Sequence, residues 1–255
     1  MKRLDAVLVQ LNLAPSRTKA QRMIEAGEVE VLHNQEWKCI RQTSYMMKEL
    51  NRELIRVPLE SMTLKYVSRG GLKLEGALKH LRLEVQGWRC FDVGLSTGGF
   101  TDCLLRHGAT SVVGVDVGHA QLATKLKTEA KLKHFEGVHV RDIPKHAEVL
   151  ACLAPGVDLA VVDVSFISVA HVLPVLSEVL PRGARLLALV KPQFEVGAAN
   201  LDKNGIVQDP EQFAFVQAQV LRDLEKYGFS SLDYFASEVK GQDGNQEFFA
   251  FALRS

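Results

Sequence analysis

The sequence predicts an α/β protein whose mostly parallel sheet ends in an antiparallel hairpin, preceded by a small α+β module. Three observations carry this. From about residue 86, strand-like apolar runs alternate with helical patterns. The last two runs, Leu232–Val239 and Glu247–Leu253, are joined only by Lys240-Gly241-Gln242-Asp243-Gly244-Asn245-Gln246, a turn-rich link. Residues 1–60 show two short helical spacings followed by an alternating run, the pattern of a separate small unit.

In that first unit, Leu4, Val7, Leu8 and Leu11 recur at helical intervals. Ser16 is placed to cap a second helix that buries Ala20, Met23 and Ile24 and stops at Gly27. Val29-Glu30-Val31-Leu32 then alternates as a strand. Residues 61–72, SMTLKYVSRGGL, mix polar and small residues around Gly70-Gly71 and are read as a junction. The catalytic-size unit is therefore expected over 73–255. Its strand runs should end at Asp92, Asp116, Val140, Asp163 and Val190.

Charge is unevenly spread. Residues 1–80 hold 14 Lys and Arg against 9 Asp and Glu, while the remainder holds 17 against 21. A basic module on a mildly acidic body suits a polyanion partner. The four cysteines (Cys39, Cys90, Cys103 and Cys152) form no CxxC pair, so neither a zinc site nor a disulfide framework is expected. No run approaches the roughly 20 apolar residues that span a bilayer, and the charged start is not a signal peptide. A cytoplasmic protein without membrane or metal partners is the expectation.

The most informative local motif is Phe91-Asp92-Val93-Gly94-Leu95-Ser96-Thr97-Gly98-Gly99-Phe100, a glycine-rich turn between a strand and a helix. Glycines there let the backbone approach a ligand beyond the carboxyl ends of the strands. The spacing is Gly-x-x-x-Gly-Gly, not the dinucleotide Gly-x-Gly-x-x-Gly, and Asp92 precedes the first glycine by two residues. An acidic strand end favours the cationic sulfonium of S-adenosylmethionine over a pyrophosphate. Asp116, ending the second strand, is placed to accept from ribose hydroxyls, and Asp142 to meet the adenine amino group. The expected cofactor set is Asp92, Gly94, Ser96, Thr97, Gly98, Gly99, Phe100, Asp116, Asp142 and Asp163.

Two resemblances follow from the motifs. Arg3-Leu4-Asp5, Ser16-Arg17 and Gly27-Glu28-Val29-Glu30-Val31 resemble the S4 RNA-binding domain, although Leu32-His33-Asn34 stands where that family usually has Asn-Gly. Five further segments span the rest: Tyr66–Leu74, Asp92–Phe100, Asp163-Val164-Ser165-Phe166-Ile167-Ser168, Val190-Lys191-Pro192-Gln193-Phe194-Glu195 and Gly244-Asn245-Gln246-Glu247-Phe248. Together they resemble the TlyA (hemolysin A) family of ribosomal RNA 2′-O-methyltransferases, relatives of the FtsJ-type enzymes. The resemblance implies a Rossmann-like class I methyltransferase sheet. It implies a Lys73, Asp163, Lys191 and Glu247 tetrad and phosphate contacts through Arg3, Arg17, Lys19, Arg22 and Arg69. It further implies ribosomal RNA or ribosomal subunits as partner and a cytidine as target; a monomer is the expectation. The family departs here at Leu95, often Ala, and at His139, often Asn.

The residues support oxygen rather than other acceptors. Asp163-Val164-Ser165-Phe166 lacks the Asp/Asn-Pro-Pro-aromatic pattern of amine methylation, and Cys152 falls in a helical pattern instead of at a strand end, as a carbon-5 nucleophile would require. A ribose hydroxyl needs its proton removed or its oxygen stabilised, work that suits a lysine. Three rivals fare worse. Membrane lysis, raised by the family's older name, lacks a span or a strongly amphipathic cationic helix. Pseudouridine synthesis would need its Arg-Leu-Asp triplet inside a catalytic domain, not at residues 3–5. A non-catalytic ribosome-binding factor would have no use for the intact tetrad.

Overall fold

The structure, a computed structural model, describes residues 1–58, 61–241 and 243–255. Leu59 and Glu60, at the expected end of the first module, and Gln242 of the hairpin link lie outside the described residues. The chain divides into two compact units, Met1–Arg69 and Gly70–Ser255.

The first unit runs β1 (Lys2–Arg3), α1 (Leu4–Gln10), α2 (Arg17–Glu25), β2 (Glu30–His33), β3 (Glu36–Cys39), β4 (Met46–Met47), β5 (Ile55–Arg56) and α3 (Met62–Lys65). Ser16 Oγ accepts from the Lys19 N–H and so caps α2. Gly27, at φ +75°, turns the chain out of it. Strand β2 is central between β3 and β5, both antiparallel. The β2–β3 hairpin closes on Asn34 and Gln35, both with positive φ, so Gln35 fills the place the S4 pattern usually gives to glycine. Leu4, Leu8, Met23, Ile24, Val31 and Ile55 form this unit's own core.

Of the expected junction, Met62–Lys65 is helical and Gly70 begins the first helix of the second unit. Lys19 Nζ donates to the carbonyls of Thr63 (2.9 Å) and Tyr66 (2.8 Å), and Glu28 accepts from Ser61 Oγ and the Thr63 N–H. Residues 61–66 are thereby tied to α2 and the turn after it.

The second unit runs α4 (Gly70–Leu81), β6 (Arg89–Val93), α5 (Gly99–Arg106), β7 (Ser111–Asp116), α6 (Thr124–Lys127), β8 (Leu132–Glu136), α7 (Ala147–Leu153), β9 (Leu159–Val162), α8 (Leu173–Val179), β10 (Arg185–Val190), α9 (Pro210–Lys226), β11 (Phe229–Ala236) and β12 (Phe248–Arg254). The sheet order is β11-β12-β10-β9-β6-β7-β8. Five strands are parallel, and β12 lies antiparallel between β10 and β11. The expected parallel sheet with a terminal antiparallel hairpin is therefore present.

The central strands are continuous apolar runs because helices cover both faces; Leu159–Val162 and Leu186–Val190 are all fully buried or nearly so. Chain order reverses beside β6: β7 and β8 extend the sheet one way, β9 and β10 the other. Such a switch point opens a crevice at the carboxyl ends of the strands. One expected strand end needs correction. The third parallel strand stops at Glu136, Gly137 (φ +73°) turns the chain, and Val140 begins a 3₁₀ turn through Lys145.

Candidate active site

Strand register brings the distant charged residues together. Val190 pairs with Phe248 across the β10–β12 ladder, so Lys191 and Glu247 emerge from adjacent strand ends. Val162 pairs with Ala188 on one side and with Val93 on the other, so Asp163 follows between Lys191 and the glycine turn. Lys73 comes from the first turn of α4.

The four side chains form two ion pairs. Lys73 Nζ lies 2.5 Å from Glu247 Oε2, and Lys191 Nζ lies 2.6 Å from Asp163 Oδ1. Lys191 Nζ also donates to Ser165 Oγ at 2.9 Å. Both lysines are about one-tenth exposed and Glu247 is buried, whereas Asp163 is 23% exposed. Water screens such pairs weakly, so each lysine is held to its own carboxylate.

Two cavities flank this arrangement. A cavity of about 360 Å³ is walled by Val115, Val117, Val138, Val140 and Ile167, with Gly94, Ser96, Asp116, Gln121, His139 and Asp163 among its polar or backbone-exposing edges. A second, of about 600 Å³, includes Lys73, Lys191, Gln193, Phe194, Asn204, Asn245 and Glu247. Ser165 and Phe166 line both.

The first cavity has the chemistry of an S-adenosylmethionine site. Its size lies in the usual small-molecule range of about 300–1,000 Å³. Asp116 accepts the Ser96 N–H (2.7 Å) and the Gly118 N–H (2.6 Å), which leaves lone pairs for ribose hydroxyls. The valines suit a purine, and the Asp163 carboxylate suits a cationic centre. The residues present fit the group.

Of the cofactor residues expected from sequence, Gly94, Ser96, Asp116 and Asp163 reach this wall. The others do not line it. Thr97 accepts the Ala123 N–H through its carbonyl. Gly98, at φ +85°, caps α5 where a Cβ would meet Leu126 at 2.3 Å, and Gly99 starts that helix. Phe100 is buried and packs against Phe249. Asp142 is exposed on the 3₁₀ turn because the third strand ends early, and His139 takes the wall position instead. Gly94 is required for packing as well: a Cβ there would lie 2.3 Å from the Asp163 carbonyl oxygen. Reasoning from sequence missed Gln121, Ser165 and Asn245. The buried Asn245 accepts the Val207 N–H and donates to the Gly205 carbonyl, which fixes a wall of the second cavity.

Asp92 is fully buried beneath the glycine turn, not on the cavity wall. Its Oδ2 accepts from Thr101 Oγ1 at 2.7 Å, and among the described residues its Oδ1 has no hydrogen-bond partner. Burial pushes its carboxyl up to about 7, against the Thr101 hydrogen bond and with help from Asp163 and Asp116. A carboxyl raised in the folded state stabilises fully below its unfolded value near 3.8, and that contribution is lost as pH rises to about 7. Asp92→Asn should remove this slope, a difference on the order of a few kcal/mol across the window. Denaturant unfolding of ligand-free protein at about pH 4.5 and 7.5 reads it; parallel pH dependence in both proteins would refute it.

The expected phosphate contacts are only partly free. Arg3 and Arg17 both donate to the buried Asp5, as does Gln21. Burial alone would raise the Asp5 carboxyl, but these donors hold it well below the usual range. Arg3 and Arg17 remain 42% and 59% exposed, so their outer donors stay open to solvent. Lys19 turns inward to the carbonyls named above. Arg22 and Arg69 are half-buried. Among the described residues no group of three His, Cys, Asp or Glu could hold a metal, and no helix is long and apolar enough to cross a membrane.

Comparison with known proteins agrees with this geometry. The FtsJ-like methyltransferase family model matches residues 66–254, and the S4 domain model matches residues 2–31. The chain is 39% identical over 247 residues to the 16S/23S rRNA (cytidine-2′-O)-methyltransferase TlyA of Mycobacterium tuberculosis, covering 97% of this chain and 88% of that one. It is 30% identical over 260 residues to the 23S rRNA (cytidine-2′-O)-methyltransferase TlyA of Campylobacter jejuni, covering 97% and 98%. A solved structure from Streptococcus thermophilus, named as a hemolysin, superposes with a TM-score of 0.72 at 35% identity, over 100% of this chain and 88% of that one.

Proposed function

The chain belongs to the TlyA family of FtsJ-like methyltransferases with an S4 domain, and from that premise we propose that it methylates a ribose 2′-hydroxyl, on a cytidine of ribosomal RNA, using S-adenosylmethionine. The observation that carries this reading is the meeting of two cavities at Ser165 and Phe166, with Lys191 lining the second and donating to Ser165 on the shared wall. A methyl donor in one and a nucleotide in the other would share that wall.

When bound, S-adenosylmethionine supplies an electrophilic methyl group. The chain supplies placement and charge. Asp116 orients the ribose end, and the valines exclude water around the base. Lys191 stands at the acceptor cavity, where it either takes the hydroxyl proton as a neutral amine or stabilises the developing oxyanion as an ammonium. Asp163 and Ser165 fix its direction. Lys73 and Glu247, paired across the same cavity, hold a second positive group near the sugar-phosphate. Positioning two reactants this way can supply up to roughly 7–11 kcal/mol of the barrier. Residues 1–60 would dock the RNA, with Arg3, Arg17 and Arg22 toward phosphates and Lys19 bracing residues 61–66.

The test is a map of ribose methylation across ribosomal RNA from cells with and without the protein. One or a few cytidines should lose the mark when it is absent, and purified enzyme with the cofactor should restore it. An unchanged map, with no transfer in vitro, would sink the assignment.

A further inference from the structure

Loops 163–168 and 191–195 leave neighbouring strand ends, since Val162 of β9 pairs with Ala188 of β10. The first loop borders the donor cavity along Asp163–Ile167 and enters the acceptor cavity at Ser165 and Phe166. The second borders the acceptor cavity through Lys191, Gln193 and Phe194. Any slip of one loop past the other is therefore an error in the donor–acceptor distance.

The loops are joined at three levels. Nearest the strands, Lys191 meets Asp163 and Ser165. Midway, the rings of Phe166 and Phe194 tilt together with centroids 5.2 Å apart. Farthest out, Glu195 Oε2 accepts from Ser168 Oγ at 2.5 Å, and Oε1 accepts the Val169 N–H at 2.9 Å. Ser168 Oγ in turn accepts the Ala170 N–H at 3.1 Å, so the carboxylate grips the start of the 3₁₀ turn that ends the first loop.

The middle of that loop needs holding. Phe166 has φ +65°, the left-handed region that an aromatic side chain disfavours, and its side chain is exposed. Such a conformation persists where its surroundings over-determine it. The near-strand contacts restrain one side of Phe166; the Glu195 bonds restrain the other.

The geometry points to Glu195 as a positioning residue for methyl transfer, one that touches neither substrate and sets the register of the two cavities by clamping loop 163–168 to loop 191–195. Its carboxylate lines neither cavity, and both its oxygens are engaged by the opposite loop. The inference rests on the methyltransferase reading above.

Glutamine at this position keeps the clamp. Its amide oxygen accepts the Val169 N–H, and its NH₂ donates to Ser168 Oγ, which has lone pairs for both that donor and Ala170. Alanine removes both bonds. Misplacing a reacting group by about 1 Å costs up to roughly 10²-fold in rate. Glu195→Ala is therefore expected to lower kcat by about 10- to 100-fold per folded molecule, with the KM for RNA changed by less than about threefold, and Glu195→Gln to restore most of it.

The experiment measures kcat, KM and thermal melting of the full-length wild type and both variants, at saturating S-adenosylmethionine, on ribosomal RNA. A merely structural role predicts a lower melting temperature with kcat of the folded fraction unchanged, which would overturn the proposal. So would a Gln variant as slow as the Ala variant, because charge rather than placement would then be at stake. Should Glu195→Ala not fold, Ser168→Ala deletes one of the two bonds to Glu195 together with the Ala170 bond it also accepts. A fall in its kcat of about threefold or more supports the clamp, and an unchanged kcat overturns it. Failure of the wild type to methylate any ribose would instead refute the functional reading beneath it.

Discussion

Lys191→Ala should lower the methyl-transfer rate by roughly 10²- to 10⁴-fold while S-adenosylmethionine binding stays within about threefold. The side chain stands at the end of β10, about nine-tenths buried, and reaches Asp163 and Ser165. It lines the second cavity and not the first, so its loss removes the acid–base or electrostatic group without removing a cofactor wall. Lys191→Arg should rescue little, because a planar guanidinium cannot reproduce a compact ammonium and is never a neutral base. Single-turnover transfer with enzyme in excess separates the chemical step from product release, and calorimetry reads the cofactor. Equal loss of cofactor affinity and rate would mean that Lys191 maintains the donor site, contrary to the role assigned here.

That this residue could be singled out from sequence has a physical basis. Lys191 and Asp163 each follow a short run of fully apolar residues, and in a sheet covered on both faces such runs are strands whose ends face the ligand crevice. The same reasoning misplaced the third strand. Leu132–Glu136 is an edge strand with exposed Lys133 and His134, so it has no continuous apolar run, while Val138 and Val140 just beyond it are buried or half-buried and imitate one. The error gave Asp142 the wall position that His139, noted from sequence only as a departure from the family, occupies. The last hairpin shifted for a related reason: β11 begins at Phe229, directly after Gly228 at φ +74°, whereas its polar start of Ser230 and Ser231 reads as a loop.

Side-chain partnerships were harder still. Asp5 looked like part of a motif, and only packing reveals that it is buried and draws in Arg3, Arg17 and Gln21. A long cation can serve a phosphate or a carboxylate with equal chemistry, so composition cannot choose between them. Ser165 and Glu195 lie in loops without periodicity. Their roles come from the approach of two strand ends far apart in sequence, which the pattern of either segment alone does not encode.

Deletion of residues 1–69 should abolish methylation of ribosomal RNA and leave S-adenosylmethionine binding intact. The second unit has its own core, built around Phe91, Val162, Leu173, Leu186 and Val220. The described residues that line the two cavities belong to it as well. The cut belongs after Arg69 and not at residue 60, because Lys19 and Glu28 brace residues 61–66 and a shorter deletion would strand them. What is lost is the basic unit, and each lysine or arginine on a phosphate contributes close to one unit of slope in log affinity against log salt. With the outer donors of Arg3 and Arg17 and some of their neighbours removed, that slope should fall by about 2–4, and affinity at moderate salt by at least roughly tenfold. Filter binding across a salt series, beside calorimetry of the cofactor, measures both halves. A truncated enzyme that still methylates RNA at the full rate, with the same salt slope, would move the docking surface onto the catalytic unit and leave the basic unit without the role its charge implies.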